Sequence, residues 1–313
     1  MTAPFIPGYL HLYRTGELAD RARQVYQHLR NCDLCPNRCQ VNRLHSRRGA
    51  RCCTSRRARV ASYGPHHGEE RPLVGRHGSG TIFFSGCNLA CVFCQNWDIS
   101  QQDQGEEVSA PRLSAMMIEL QGLGCHNINL VSPSHVVAPV LAALLHAVRR
   151  GLNLPLVYNS GGYDSLSTLA LLDGVVDIYM PDMKFADSAT ARRFTGVSGY
   201  AEINRAAVLE MHRQVGDLVL DERGIARRGL LVRHLVLPDN LAGTDRILTF
   251  LHDEVSPDTY LNLMDQYRPC CCADRHPPLN RRLNTEEYAT ALTWARSKGL
   301  KRLDRPGLGS VKG

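Results

Sequence analysis

A chain of 313 residues is long enough for one large domain with an appendage, and its hydrophobic and charged fractions, 43% and 21%, exclude wholesale disorder and allow a packed core. The longest apolar stretch, residues 136–148, is broken by His146 and falls short of the about 20 residues that a membrane-spanning helix needs, so no membrane association is expected. The net charge of +7 sits largely in Arg47, Arg48, Arg51, Arg56, Arg57 and Arg59, a run with no interleaved aromatic residues to stack bases; it reads as a solvated face rather than a nucleic-acid surface.

The first twenty residues lack a basic segment followed by an apolar core and a small-residue cleavage site, which makes the cytoplasm the expected compartment. Residues 1–80 form a cysteine-rich lead-in without regular alternation. From residue 81 to 303, short β-branched or apolar runs alternate with segments of helical period, the signature of repeated βα units. Strands are expected at 81–84, 127–131, 156–158, 175–180, 230–237 and 260–264. Leu113, Met116, Met117 and Leu120 give one helix face, and further helices are expected at 136–150, 166–172, 189–215, 247–255 and 286–297. A hairpin with arms at 218–220 and 225–228 interrupts the series. Six βα units are too few to close an eight-stranded barrel, so the expected fold is α/β, a partial open (β/α)6 barrel, with a doubly wound sheet as the alternative. Residues 304–313 read as a flexible tail.

Twelve cysteines in a chain expected to be cytoplasmic argue for metal or catalytic use over disulfides. Cys87, Cys91 and Cys94 form C-x-x-x-C-x-x-C directly after the first strand, at the end of the architecture where active sites gather. Three thiolates on one loop can hold three irons of a cubane cluster and leave the fourth open for a small molecule. Cys32, Cys35, Cys39 and Cys52 offer four thiolates for a second centre, an iron–sulfur cluster or a zinc, with Cys53 able to replace Cys52. Cys125 reads as a small buried hydrophobe, and Cys270, Cys271 and Cys272 form a triplet of open role.

The segments GSGTIFFSGCNLACVFCQNWDIS, GCHNINLVSPSH, LPLVYNSGGYDS, DGVVDIYMPDMKF and NLMDQYRPC resemble the radical SAM superfamily, and more narrowly proteins similar to pyruvate formate-lyase activating enzyme. The resemblance implies a [4Fe-4S] cluster on Cys87, Cys91 and Cys94, with S-adenosylmethionine at its open iron. Reductive cleavage would yield a 5'-deoxyadenosyl radical that abstracts hydrogen. Phe93 matches the position that lies against the adenine. Ser132, Ser134 and His135 stand where relatives hold the amino group, without their glutamate; Asn159 and Ser160 match a further cofactor-contacting segment, and Asp182 and Lys184 the Asp-x-Lys of the activating enzymes. Arg233 and His234 in the fifth strand, and Asp265 and Gln266 after the sixth, point to the same mouth; His234 is the remaining candidate catalytic residue, with a core histidine as the alternative. The loop 63–71, with His66, His67, Glu69 and Glu70, is expected either to line the entrance or to be a solvated connector. A low-potential ferredoxin or flavodoxin and a peptide or protein substrate are the implied partners. The rival classes are a non-catalytic iron–sulfur carrier and a metal-stabilised nucleic-acid binding module.

Overall fold

The computed structural model describes residues 5–304; of the tail expected at 304–313, all beyond Asp304 lies outside the described residues. Two helices, α1 (Gly8–Thr15) and α2 (Glu17–Gln27), precede strand β1 (Ala58–His66) and the single turn α3 (Arg71–Val74). Then follow β2 (Ser79–Phe84), α4 (Trp97–Gln101), β3 (Glu106–Val108), α5 (Ala110–Gly122), β4 (Ile128–Val131), α6 (Val137–Arg149), β5 (Leu156–Ser160) and α7 (Leu166–Leu172). The chain continues through β6 (Ile178–Pro181), α8 (Ser188–Thr195), α9 (Tyr200–Val215), β7 (Val219–Leu220), β8 (Ala226–Leu235), α10 (Thr244–Phe250), β9 (Tyr260–Met264) and α11 (Thr285–Ser297).

Strands β2, β4, β5, β6, β8 and β9 pair in parallel, each with the next. Neighbours therefore follow chain order without reversal, which excludes the doubly wound alternative, whose strand order turns back at a switch point. Helices lie between successive strands, as parallel crossovers require. Two antiparallel strands extend the β2 edge: β1 pairs β2, and β3 pairs β1. The segment expected as a separate lead-in thus supplies a strand of the sheet. The second arm of the expected hairpin and the fifth expected strand are one strand, β8, which turns from β7 at its start to β9 at its end.

Both faces of the parallel run are filled. Tyr158, Tyr179, Leu230 and Val232 join the core beneath the helices, where α5 and α6 pack side by side and α2 lies on α6. The residues of opposite parity, Val157, Ile178, Met180 and Leu231, pack on the other face around Leu73 of α3. Helix α2 buries Leu18, Ala22 and Val25, a spacing of four and three that puts one stripe on the core. Local stop and start signals agree with the fold: Ser109 accepts from Arg112 N at the start of α5, and Asn284 with Glu287 makes a capping box on α11. Among the described residues, no helix is long and apolar enough to cross a membrane.

Asp177, at the entry to β6, ties the N-terminus to the sheet. Its carboxylate accepts from Gly8 N and Leu156 N, each at 3.0 Å, and burial pushes it up to about 7. Asp177→Ala leaves two buried N–H groups without partners and is expected to cost about 2–4 kcal/mol in urea unfolding. A loss within about 0.5 kcal/mol would show the N-terminal helices to be unneeded for stability.

Candidate active site

The carboxyl ends of the parallel strands open into a cavity of about 250 Å³. Cys87, Cys91 and Cys94 line it from the loop after β2, together with Ser132 after β4, Asn159 and Ser160 from β5, Asp182 and Lys184 after β6, Arg233 from β8 and Met264 from β9. The cysteine loop is held rigidly: Ala90 N donates to Thr195 O and Val92 N to Phe194 O, both at the end of α8. Gly86 is required at the loop's entry. Its φ is +80°, and a Cβ there would stand 2.3 Å from the carbonyl oxygen of Cys52.

Burial pushes the Cys87 thiol up to about 11 and Cys91 to about 12, with Lys184 pulling the other way in each case. Cys87 and Cys91 therefore stay protonated at neutral pH unless a cation draws them into the thiolate form. Cys94 Sγ sits 3.3 Å from Ser100 Oγ, and Leu89 N donates to Cys87 Sγ at 3.4 Å. Among the described residues no group of three or more His, Cys, Asp or Glu side chains is drawn together closely enough to hold a metal ion. The chemistry of the donor set nevertheless fits a soft, thiophilic metal group: three sulfurs, no competing disulfide, and one shared cavity.

Opposite the thiols lies an ion network. Asp182 receives Lys184 Nζ at 2.5 Å and Arg233 Nε at 2.8 Å, while Arg233 Nη2 donates to Asn159 Oδ1 at 2.7 Å. Burial alone would raise Asp182; Arg233 and Lys184 outweigh it and hold the carboxyl below its ordinary range. Beneath Arg233, buried Glu69 and Glu70 each approach it to 4.0 Å, and Asn262 of β9 donates to Glu70 at 2.9 Å. The segment before α3 therefore lies across the sheet's inner face, joining β8 to β9. The loop 63–71, expected as an entrance lining or a solvated connector, instead tucks both glutamates under the cavity, their side chains 8% and 3% exposed.

Burial and the neighbouring Glu70 push Glu69 up to about 7. A carboxyl that ionises near 4.5 in the unfolded chain and near 7 in the folded one keeps its proton longer when folded, so stability is lost as pH rises between those values. Unfolding free energy is expected to fall from about pH 5 to pH 8, and Glu69→Gln to flatten that slope by on the order of 2 kcal/mol. Equal slopes in both proteins would show Glu69 to be ionised throughout.

Phe93 lines the cavity, held edge-on by Phe185 at 5.9 Å and Tyr267 at 6.3 Å between ring centres. Ser132 lines it in a left-handed conformation, φ +59°. Ser160 lines it too, but its hydroxyl is committed to Asp164 at 2.6 Å. Three other candidates are not brought to the cavity. Ser134 is buried beside Asp164 and Tyr158. His135 donates from Nε2 to Ser85 O at 2.9 Å, and burial drives it down to about 3, so it stays neutral.

His234 is corrected from a catalytic candidate to a core residue. Strand parity points Arg233 into the cavity and His234 toward the helices, where Nδ1 donates to Met183 O at 2.6 Å and Nε2 accepts from Thr244 Oγ1 at 2.8 Å. Burial lowers it to about 4. Arg233 and Gln266, both expected at this mouth, line the cavity; Glu69 and Glu70 beneath Arg233 are the site residues that the sequence placed elsewhere.

Fold and site together define an α/β protein with a singly wound parallel sheet and a three-thiol loop over a charged cavity at its carboxyl end. The chain belongs to the family of "Uncharacterized protein MJ0674" of Methanocaldococcus jannaschii, to which it is 35% identical over 280 residues, 87% of this chain and 76% of the relative. No family model matches it. A solved structure of TYW1 with a lysine-pyruvate adduct bound superposes with a TM-score of 0.41 at 13% identity, covering 69% of this chain and 73% of that one, a score too low to assign a shared fold.

Proposed function

We propose that the protein is a radical SAM enzyme built on a partial, open (β/α)6 barrel, and that its substrate is a peptide or protein. The observation that carries the reading is the C-x-x-x-C-x-x-C loop at the carboxyl end of the first parallel strand, with its three thiols facing one cavity. When bound, a [4Fe-4S] cluster and S-adenosylmethionine would supply a carbon-centred radical able to abstract hydrogen. Cys87, Cys91 and Cys94 would hold three irons. Phe93 offers an edge-braced aromatic surface for an adenine, and Ser132 and Asn159 offer polar groups at adjacent strand ends. Lys184 and Arg233, both tied to Asp182, present fixed N–H donors at the rim that can orient a carboxylate or carbonyl. The buried aromatic cluster of Phe185, Phe194, Tyr163, Tyr200 and Tyr267 backs the loop and excludes water.

A nucleic-acid role finds little support in the arginine run. Arg47 and Arg59 pair with Asp103, and Arg57 faces Glu107 at 3.5 Å. A non-catalytic iron–sulfur carrier is the second reading, favoured by one observation: Cys271 lies close enough to Cys94 to interact electrostatically, and a fourth thiol would close the open iron. Cys271→Ser would then strip iron from the loop, whereas the enzymatic reading leaves iron content unchanged.

The substrate is tested by anaerobic incubation with unlabelled S-adenosylmethionine, a ferredoxin or flavodoxin as electron donor, and either deuterated host-cell protein or a deuterated small-metabolite pool. Hydrogen passes from the substrate to the radical, so deuterium in the 5'-deoxyadenosine formed with the protein fraction is the expected result. Deuterated 5'-deoxyadenosine formed only with the metabolite pool would overturn the substrate class and leave the radical assignment standing.

A further inference from the structure

Arg43, 1% exposed, is the largest fully buried side chain among the described residues, and no carboxylate among them pairs with it. Its guanidinium donates to the carbonyls of Thr54 at 2.9 Å, Ser55 at 3.0 Å and His135 at 2.8 Å, and its Nη1 points at Cys32 Sγ at 3.5 Å. Carbonyls satisfy the donors but do not neutralise the charge. A buried guanidinium without a counter-charge is strongly unfavourable, so an anion belongs beside it. The groups there that can become anionic are thiols: Cys32 in contact, and Cys52 close enough to interact electrostatically with Arg43 and Cys32.

The four sulfurs share a second property. Each receives an N–H donor: Cys32 from Arg43, Cys35 from Asn37 Nδ2 at 3.7 Å and from the Asn37 backbone, Cys39 from Arg51 N at 3.5 Å, and Cys52 from the Thr54 backbone. A protonated thiol is a poor acceptor, whereas metal-bound thiolates are oriented by such donors. Cys53 behaves in the opposite way: it is exposed, and its thiol donates to Arg51 O. The backbone supports convergence, because Arg38 and Gln40 adopt positive φ of 41° and 55°, and Gln40 N returns to Cys32 O at 2.9 Å. That fold-back brings the first three cysteines onto one loop.

We propose that Cys32, Cys35, Cys39 and Cys52 form a tetrathiolate metal centre, zinc or iron–sulfur, with Arg43 as its built-in counter-cation. Four thiolates leave two negative charges in excess around either a zinc ion or an oxidised cubane core, and the buried guanidinium offsets part of them. The centre adjoins the Cys87 loop: Asn37 Nδ2 donates to Asn88 O at 2.7 Å, and the Cys52 carbonyl packs against Gly86. The proposal stands independently of the radical reading.

The experiment uses full-length protein carrying Cys87→Ala, Cys91→Ala and Cys94→Ala, purified anaerobically, with zinc and iron measured together. About one zinc, or about two to four irons, per chain is expected to remain. Zinc selects the mononuclear centre, and iron with acid-labile sulfide the cluster. Adding Cys39→Ser should abolish retention, and adding Cys53→Ser should not. Arg43→Leu should speed metal release to a chelator about ten- to hundred-fold, and Arg43→Lys, which keeps the charge, should stay close to the parent. Absence of both metals from the parent would overturn the centre; loss on Cys53→Ser with retention on Cys52→Ser would overturn the ligand set. Unchanged release from Arg43→Leu would overturn the counter-charge.

Discussion

Arg233→Met is expected to destabilise the protein by about 3–5 kcal/mol, because it leaves Asp182, Glu69 and Glu70 buried with Lys184 as their remaining cation. Asp182 would lose a 2.8 Å hydrogen bond as well as a charge. The pH dependence carries a distinguishing sign. With the guanidinium gone, the carboxyls hold their protons to higher pH in the folded state, so the variant's stability should fall more steeply than the wild type's as pH rises from about 5 to 8. Urea unfolding at both ends of that range tests it. A deficit below about 1 kcal/mol with an unchanged pH slope would mean that water, not Arg233, solvates the carboxylates.

Cys91→Ala should remove the loop's metal rather than merely weaken it. Two thiolates cannot anchor three irons, and Cys91 is the most buried of the three, braced between the Ala90 and Val92 contacts to α8. On a background in which Cys35→Ala and Cys39→Ala have emptied the neighbouring set, iron after anaerobic reconstitution should drop at least about tenfold. Iron that survives Cys91→Ala at the parent level would show that the loop is not its ligand.

Most of this site was legible because it sits at strand ends. Short β-branched or apolar runs located β2, β4, β5, β6, β8 and β9, and in a parallel sheet the residues at the end of each run gather at one edge; the family resemblance singled out Ser132, Asn159, Ser160, Asp182 and Lys184 there. Parity within a strand decided the rest. Arg233 and His234 differ by one residue and face opposite sides of the sheet, a distinction that chemistry of the residue type alone does not make. His135 closes the 3-10 turn before α6 and spends its ring on Ser85 O instead of the cavity. Glu69 and Glu70 were misplaced because their burial depends on a tertiary fold-back onto β9, which leaves no periodic trace.

The N-terminal elements were overlooked for local reasons. Strand β1 carries Gly64 and Pro65 and shifts register between Val60 and Ser62, so its alternation is broken. Helix α2 is short and strongly polar outside the Leu18, Ala22, Val25 stripe, although that stripe, continued by Leu29, was present in the sequence.

The most direct test of the central claim is the formation of 5'-deoxyadenosine from S-adenosylmethionine by anaerobically reconstituted, reduced protein, compared with the Cys87→Ala, Cys91→Ala, Cys94→Ala variant. The wild type should release 5'-deoxyadenosine and methionine in equal amounts, and the variant none above the protein-free background. Equal formation by both proteins, or none by a wild type that demonstrably carries a reduced cluster on this loop, would contradict the assignment.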